Sequence, residues 1–165
     1  MEPRGTLPSV DDVDAVRRQL GREPRGMLAV AHRCPCGQPD VVITAPRLDD
    51  GTPFPTVYYL TCPKASSAVG RLEGTGLMRE MEGRVAADPE LAAAYARAHE
   101  AYLRDRESLE CVAEIEGVSA GGMPDRVKCL HVLLAHSLAR GPGVNPLGDE
   151  VREAVGAWWE PTPCE

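Results

Sequence analysis

The fold of this chain is decided by residues 26–44, which read Gly26-Met-Leu-Ala-Val-Ala-His-Arg-Cys-Pro-Cys-Gly-Gln-Pro-Asp-Val-Val-Ile-Thr44. Two apolar runs flank a turn that contains proline and glycine, which is the pattern of two strands joined by a short connection. Strands are predicted over 26–33 and 41–44, and a third over 56–61, which reads Thr-Val-Tyr-Tyr-Leu-Thr. The sequence therefore predicts a small antiparallel sheet of three consecutive strands.

The rest of the chain has the apolar spacing and the boundary residues of helices. Helices are predicted over 9–20, from Ser66 or Ser67 to a break at 74–76, and over 77–87, 89–109, 124–140 and 147–159. With the sheet they predict an α+β fold, in which about three strands pack against several helices. Residues 9–159 are expected to form one domain, between a disordered leader at 1–8 and a flexible tail at 160–165.

Composition and charge limit the functions open to this 165-residue chain. The formal net charge is -7, and residues 141–165 hold one basic and five acidic side chains, so nucleic-acid binding is not expected. No apolar run approaches the roughly 20 residues that a membrane-spanning helix needs, and the first residues lack the apolar stretch of a secretory signal. We therefore expect a cytoplasmic protein without a membrane partner, in which cysteines stay reduced.

Cysteines are the residues most informative about function, and four of the six lie in three short phrases. Cys34 and Cys36 belong to Arg-Cys-Pro-Cys-Gly, Cys62 to Thr-Cys-Pro, and Cys129 to Lys-Cys-Leu-His. In a three-stranded meander the ends of the first and third strands lie at the same edge, so the first two phrases are expected to converge. Because thiolates bind zinc and iron–sulfur clusters, we predict that these four cysteines hold a metal ion or a cluster.

Two features leave alternatives to this metal site open. Zinc sites usually place two residues between paired cysteines, whereas only Pro35 separates Cys34 from Cys36. Cysteine is also a small and often buried apolar residue, so the alternatives are thiols that only fill the core and a redox-active thiol pair. Cys111 and Cys164 are interpreted as incidental.

The start of the helix predicted over 124–140 is the second candidate site. Free N–H groups and the helix dipole attract anions at such a start, and basic side chains in the first turn would add charge. The residues predicted to bind an anionic or phosphorylated small molecule are Gly121, Gly122, Arg126 and Lys128. The alternative interpretation is an ordinary helix start.

Two histidines of the same helix, His131 and His136, are candidate general bases, with Cys129 as nucleophile or ligand. In a regular helix, residues two apart point to nearly opposite sides, and residues seven apart stand about 10 Å from each other. Cys129 is therefore not expected to share one small ion with either histidine. Whether the protein is an enzyme stays open on these grounds.

Several long phrases of the chain resemble those of a known protein family. Besides Arg-Cys-Pro-Cys-Gly, they are Tyr58-Tyr-Leu-Thr-Cys-Pro63, Gly70-Arg-Leu-Glu73, Gly121-Gly-Met-Pro-Asp-Arg-Val-Lys-Cys-Leu-His131 and Gly141-Pro-Gly-Val-Asn-Pro146. Over roughly residues 10–150 the chain resembles the bacterial family catalogued as domain of unknown function 501. The resemblance implies genes near those for enolase, a septum-formation initiator and an exopolyphosphatase-like protein. A third candidate function is therefore an interaction module with a protein partner in cell division, for which Trp158 and Trp159 are candidate contacts.

Overall fold

The structure is a computed structural model that describes residues 5–164. It confirms the α+β class, with a three-stranded antiparallel sheet packed against helices. The strands are β1 (Met27–Arg33), β2 (Pro39–Thr44) and β3 (Tyr58–Leu60), in the order β1-β2-β3. The helices are α1 (Val10–Leu20), α2 (Pro63–Glu73), α3 (Leu77–Ala87), α4 (Pro89–Glu107), α5 (Leu130–Arg140) and α6 (Pro146–Val155), and a 3-10 turn covers Ala113–Ile115. None of the helices in this described part is both long and apolar enough to cross a membrane.

The predicted meander of three strands is confirmed, and it brings two cysteine phrases to one end of the sheet. The end of β1 pairs with the start of β2, where Arg33 lies opposite Pro39. The end of β3 pairs near the same place, where Leu60 lies opposite Val41. Because β1 and β3 are both antiparallel to β2, they run in the same direction. The chain therefore leaves β1 and β3 at the same end of the sheet, on either side of β2.

Helix α5 lies in the middle of the molecule, against the sheet on one side and α6 on another. Eight of its residues are buried, within 130–138, and every residue of β2 is buried as well. Elements covered on several sides need nearly continuous apolar sequence, which both segments have. At Gly148, α6 approaches α5 so closely that a Cβ atom would lie 2.2 Å from the carbonyl oxygen of Leu133.

The helix predicted from Pro124 begins only at Leu130, so this part of the prediction is wrong. The preceding residues form turns, in which the N–H of Arg126 donates to the carbonyl of Gly122 over 2.8 Å. Gly121 and Gly122 have φ values of 69° and 94°, a left-handed conformation that suits glycine and does not occur within a right-handed helix. The glycine pair thus shapes a turn, and the helix starts after it.

Helix α2 also begins at a different residue from the one predicted. The sequence predicts Ser66 or Ser67 as the cap, whereas α2 begins at Pro63. Proline is well suited to the first helical position because the N–H it lacks would have no partner there. Cys62 therefore becomes the N-cap residue, with an extended backbone and a fully buried side chain.

The predicted leader, residues 1–8, falls partly outside the described residues, which begin at Gly5. Within the described part, Thr6 forms an antiparallel bridge with Val30 of β1, with both N···O distances at 2.9 Å. Thr6 thus pairs with the outer edge of the sheet, ahead of the domain boundary predicted at residue 9.

Of the predicted flexible tail, residues 160–165, the structure describes residues as far as Cys164; residues 160–163 are exposed and Cys164 is buried. Lys64 Nζ donates to Thr162 Oγ1 over 2.7 Å, which ties the tail to the first turn of α2. Cys164 itself is only 6% exposed. The end of the chain therefore returns to the region where the cysteine phrases leave the sheet.

Candidate functional site

Sulfur atoms from distant parts of the chain meet at the end of the sheet. The Sγ atoms of Cys34, Cys36 and Cys164 all lie within 4.8 Å of one another, and those of Cys34 and Cys164 are 3.8 Å apart. Cys62 Sγ lies 3.4 Å from Cys164 Sγ, although it is outside the set of three sulfurs that are mutually within 4.8 Å. All four thiols are free. We call Cys34, Cys36, Cys62 and Cys164 the four-cysteine cluster.

The turn after β1 supplies backbone N–H groups to this cluster. The N–H of Cys36 donates to Cys34 Sγ over 3.5 Å. The turn is closed by hydrogen bonds from Gly37 N to Cys34 O (2.8 Å) and from Cys34 N to Gln38 O (2.9 Å). Gly37 has a φ of 96°, which a residue without Cβ adopts readily. A turn that aims N–H groups at sulfur stabilises negative charge there, as metal-binding turns do.

The cluster is buried except at Cys36, which is half-buried. Burial raises the pKa of Cys34 to about 11, and it is also the largest cause that raises the pKa of Cys164. Burial also acts to raise the pKa of Cys36, but hydrogen bonds, first among them one from the backbone of Gln38, outweigh it and lower that pKa. Several thiolates gathered in such a buried place need a positive charge among them.

Cys129 and Cys164 lie in different places from those expected. The sequence indicates an incidental Cys164, whereas in the structure the tail folds back and places its sulfur 3.8 Å from Cys34 Sγ and 3.4 Å from Cys62 Sγ. Cys129 lies in a separate group, with its Sγ within 4.8 Å of a ring nitrogen of His131 and a carboxylate oxygen of Glu73. We call Glu73, Cys129 and His131 the Cys–His–Glu group.

The approach of Cys129 to His131 follows from the true start of α5. Because the helix begins at Leu130, Cys129 is its N-cap residue and has an extended backbone, with φ -152° and ψ 109°. The sequence predicts that the side chains of Cys129 and His131 point to nearly opposite sides, but that prediction holds only if both residues lie within a regular helix. Cys129 lies just before the helix, so it does not apply. Burial acts to raise the pKa of Cys129, but the hydrogen bond with His131 and the N–H of Val132 outweigh it and lower that pKa.

Glu73 holds His131 against the start of α5. Its Oε2 accepts from the backbone N–H of Leu130 over 2.9 Å and lies 3.1 Å from His131 Nδ1. The other ring nitrogen, Nε2, lies 3.2 Å from the carbonyl oxygen of Ser66. Hydrogen bonding, first with Cys129 and then with Glu73, raises the pKa of His131 to about 9 against the opposing effect of burial.

The residues predicted to bind an anion lie in the turns ahead of α5, and they are Gly121, Gly122, Arg126 and Lys128. A carboxylate of the chain itself lies among them. Glu82 Oε1 accepts from the backbone N–H of Val127 over 2.9 Å and lies 2.9 Å from Arg126 Nε. The N–H at the true helix start is likewise bonded to Glu73. An external anion would have to displace Glu82, so this geometry gives the predicted anion site little support.

His136, the other candidate base, is a core residue. It is fully buried, its Nδ1 accepts from Asn145 Nδ2 over 3.1 Å, and its ring stacks on Tyr58 with centroids 5.8 Å apart. Burial lowers the pKa of His136 to about 3, so the ring is neutral at neutral pH. Buried in this way, it has no route to a substrate, and His131 is the histidine that the structure places beside a cysteine.

These features define a small α+β protein with a four-cysteine cluster at the end of its sheet and a Cys–His–Glu group at the start of α5. A family model described as Protein of unknown function (DUF501) matches residues 30–153, and the chain belongs to this family. Comparisons with curated proteins and with solved structures gave no match. The matched region contains the Cys–His–Glu group and every cysteine of the cluster except Cys164, which lies beyond it.

Proposed function

We propose that the four-cysteine cluster binds one zinc ion that fastens the end of the chain to the sheet. The observation that carries this proposal is the spacing of the sulfur atoms. Around a tetrahedral zinc ion with bonds of about 2.3 Å, ligand sulfurs stand about 3.8 Å apart. The Cys34–Cys164 and Cys62–Cys164 Sγ distances are 3.8 Å and 3.4 Å, close to this edge length.

The same spacing favours a single ion over an iron–sulfur cluster, which the sequence left as an alternative. In an iron–sulfur cluster the cysteines bind several iron atoms, so their sulfur atoms lie farther apart than the four sulfur ligands of a single ion. The sulfurs of Cys34, Cys36 and Cys164, within 4.8 Å of one another, fit the smaller spacing, and Cys62 reaches them through its 3.4 Å contact with Cys164. Four protein ligands would also complete the coordination of zinc, as in structural sites, and leave no open position for catalysis.

A redox-active thiol pair is supported less well than an ion. The nearest sulfurs, those of Cys62 and Cys164, are 3.4 Å apart, against about 2.05 Å in a disulfide. Redox pairs need two thiols, whereas here four thiols meet, and backbone N–H groups approach two of them. The presence of four thiols, two more than a redox pair needs, favours metal binding.

The zinc content of the purified protein tests this proposal. We expect close to one zinc ion per chain by elemental analysis under anaerobic handling. Cys34→Ser and Cys164→Ser are expected to lose most of the zinc, because each removes one corner of the tetrahedron. Cys111→Ser is the matched control, since Cys111 is an exposed cysteine outside the cluster, and we expect it to retain zinc as wild type does.

Three results would count against this proposal. Zinc lost from Cys129→Ser but kept by Cys164→Ser would support the ligand set expected from the sequence instead. Iron together with acid-labile sulfide would replace the single ion by a cluster. Metal-free protein in which Cys62 and Cys164 are joined by a disulfide would support the redox interpretation.

A further inference from the structure

A cleft of about 280 Å³ opens between β3 and the start of α5, and the Cys–His–Glu group lies at it. Cys129 and His131 line the cleft, and its walls include Tyr59, Leu60 and Val132. Among the described residues that line it there is no member of the four-cysteine cluster. The cleft is therefore a second location for chemistry, distinct from the proposed zinc site.

The contacts of His131 favour its doubly protonated form. Its Nδ1 lies 3.1 Å from the carboxylate of Glu73, and its Nε2 lies 3.2 Å from the carbonyl oxygen of Ser66. Both neighbours are acceptors only, and a neutral imidazole has a single N–H to offer them. Only the imidazolium form of His131 can donate to both Glu73 and Ser66. This geometry therefore favours a positively charged ring beside Cys129.

Cys129 is correspondingly placed to be a thiolate. It occupies the N-cap position of the 11-residue helix α5, where the backbone N–H of Val132 and the helix dipole favour negative charge. The imidazolium of His131 adds a full charge within 4.8 Å. A thiolate paired with an imidazolium, with a carboxylate that orients the ring, is the arrangement of a nucleophile, its proton donor and a positioning residue.

We propose that Cys129 is a nucleophile that accepts an acyl group from an activated ester or thioester, with His131 as its acid and base. Cys129 Sγ attacks the carbonyl carbon, the bond to the leaving oxygen or sulfur breaks, and the imidazolium of His131 gives that atom its Nε2 proton, which otherwise points to the carbonyl oxygen of Ser66 in the wall of the cleft. The acyl group then remains on Cys129 as a thioester. Neutral His131 next takes a proton from water, whose oxygen attacks the thioester, and the carboxylic acid leaves as the ion pair re-forms.

The walls of the cleft indicate a small apolar acyl group. Tyr59, Leu60 and Val132 provide apolar contact, and the volume suits a short chain. Glu73 places a negative charge in the group, which disfavours an anionic substrate. Arg126, the basic side chain expected to bind an anion, is already paired with Glu82. A neutral carbonyl compound therefore fits better than a phosphorylated one.

Alkylation of the full-length protein with iodoacetamide, mapped by peptide mass spectrometry, tests the thiolate. An unperturbed thiol with a pKa near 8.5 is only a few per cent ionised at pH 7, so we expect Cys129 to react at least about tenfold faster than Cys111 at this pH. Cys111 is an exposed cysteine of the same chain and needs no variant. His131→Gln is expected to remove most of this advantage, with the melting temperature confirming that the variant is folded.

Acetyl transfer from p-nitrophenyl acetate tests the chemistry. We expect a stoichiometric burst of p-nitrophenolate and an acetyl group on Cys129, both lost in Cys129→Ser. Glu73→Gln is expected to move the alkaline limit of this reaction to lower pH, because the carboxylate raises the pKa of His131. If Glu73 had only a structural role, Glu73→Gln would change the amplitude of the p-nitrophenolate burst and leave the pH dependence of the reaction unchanged.

Several outcomes would overturn this proposal. They are equal alkylation rates for Cys129 and Cys111, acetylation that maps to another residue, and a His131→Gln variant with the wild-type rate and pH profile. Protection of Cys129 by added zinc, reversed by a chelator, would likewise overturn it and make the group a second metal site. None of these results depends on whether the four-cysteine cluster holds zinc.

Discussion

Replacing Gly148 with alanine is expected to lower the free energy of unfolding by about 3 kcal/mol or more, because overpacking at an unyielding contact carries a penalty of this size. The added Cβ would lie 2.2 Å from the carbonyl oxygen of Leu133 and 3.1 Å from the Cβ of Ser137. The first of these atoms belongs to the backbone of α5, so it cannot turn away as a side chain would. Urea unfolding followed by circular dichroism measures this loss.

Gly83→Ala is the matched control for this prediction. Gly83 also lies within a helix, α3, but a Cβ there would meet no atom within 4 Å. Alanine in an open helical position is expected to stabilise the protein by roughly 0.5–1 kcal/mol, since it restricts the unfolded chain. If Gly148→Ala were as stable as wild type, α5 and α6 would not be packed as closely as the structure has them.

Removal of the proposed zinc ion is the second change with a large expected effect. Structural zinc supplies about 10–16 kcal/mol of apparent binding free energy in zinc-finger peptides, and binding free energy of this kind is also folding free energy. Because this chain has a core of its own around α5, we expect it to stay folded without the ion and to lose about 4 kcal/mol or more of stability, the amount that linkage gives for a free ion at about 1,000 times its Kd. Urea unfolding with and without a strong chelator gives the difference.

Removal of the ion should also destabilise one part of the chain, the tail, before the rest. Cys164 is the only member of the cluster in the tail, so the chelator is expected to speed hydrogen exchange at residues 160–164 first. Cys164→Ser, which lacks one ligand, is expected to unfold at the same urea concentration with and without the chelator. A wild-type protein whose stability is unchanged after zinc has been removed would contradict a structural role for the ion.

Much of the fold was predictable because local patterns and topology agree. The apolar runs around Arg33-Cys-Pro-Cys-Gly37 and before Cys62 are short and bounded by turn residues, which specifies strands. Strand order then places the ends of the first and third strands together, and this was enough to predict that Cys34 and Cys62 approach the same place. The helix boundaries were less predictable at Pro124, which resembles a first helical residue but follows two glycines that require a turn.

Two residues of the sites were missed for different reasons. Cys164 lies 102 residues beyond Cys62 in a tail without apolar periodicity, so only tertiary structure shows that it returns. A signal was nevertheless present, since it follows Pro163 and cysteine beside proline had singled out the other cluster phrases. Glu73 ends the phrase Gly70-Arg-Leu-Glu73, which carries the family resemblance but does not by itself indicate a site, and its role depends on where α5 begins, which the sequence placed six residues too early.

The predicted partners are not tested by these observations and stay predictions. Trp158, one candidate contact for a protein partner, is buried on its own domain and meets Trp159 edge-to-face with ring centroids 4.9 Å apart. The pair therefore contributes to the core of its own domain, with Trp158 in the core and Trp159 packed against it. Cytoplasmic location likewise stays a prediction.

X-ray absorption at the zinc edge of the purified protein tests most directly whether one zinc ion is bound by four sulfur atoms. We predict a first shell of four sulfurs at about 2.3 Å, without nitrogen or oxygen. A shell that contains nitrogen or oxygen at about 2.0–2.1 Å would contradict binding by four sulfurs, since it would put a histidine, a carboxylate or water in place of a cysteine.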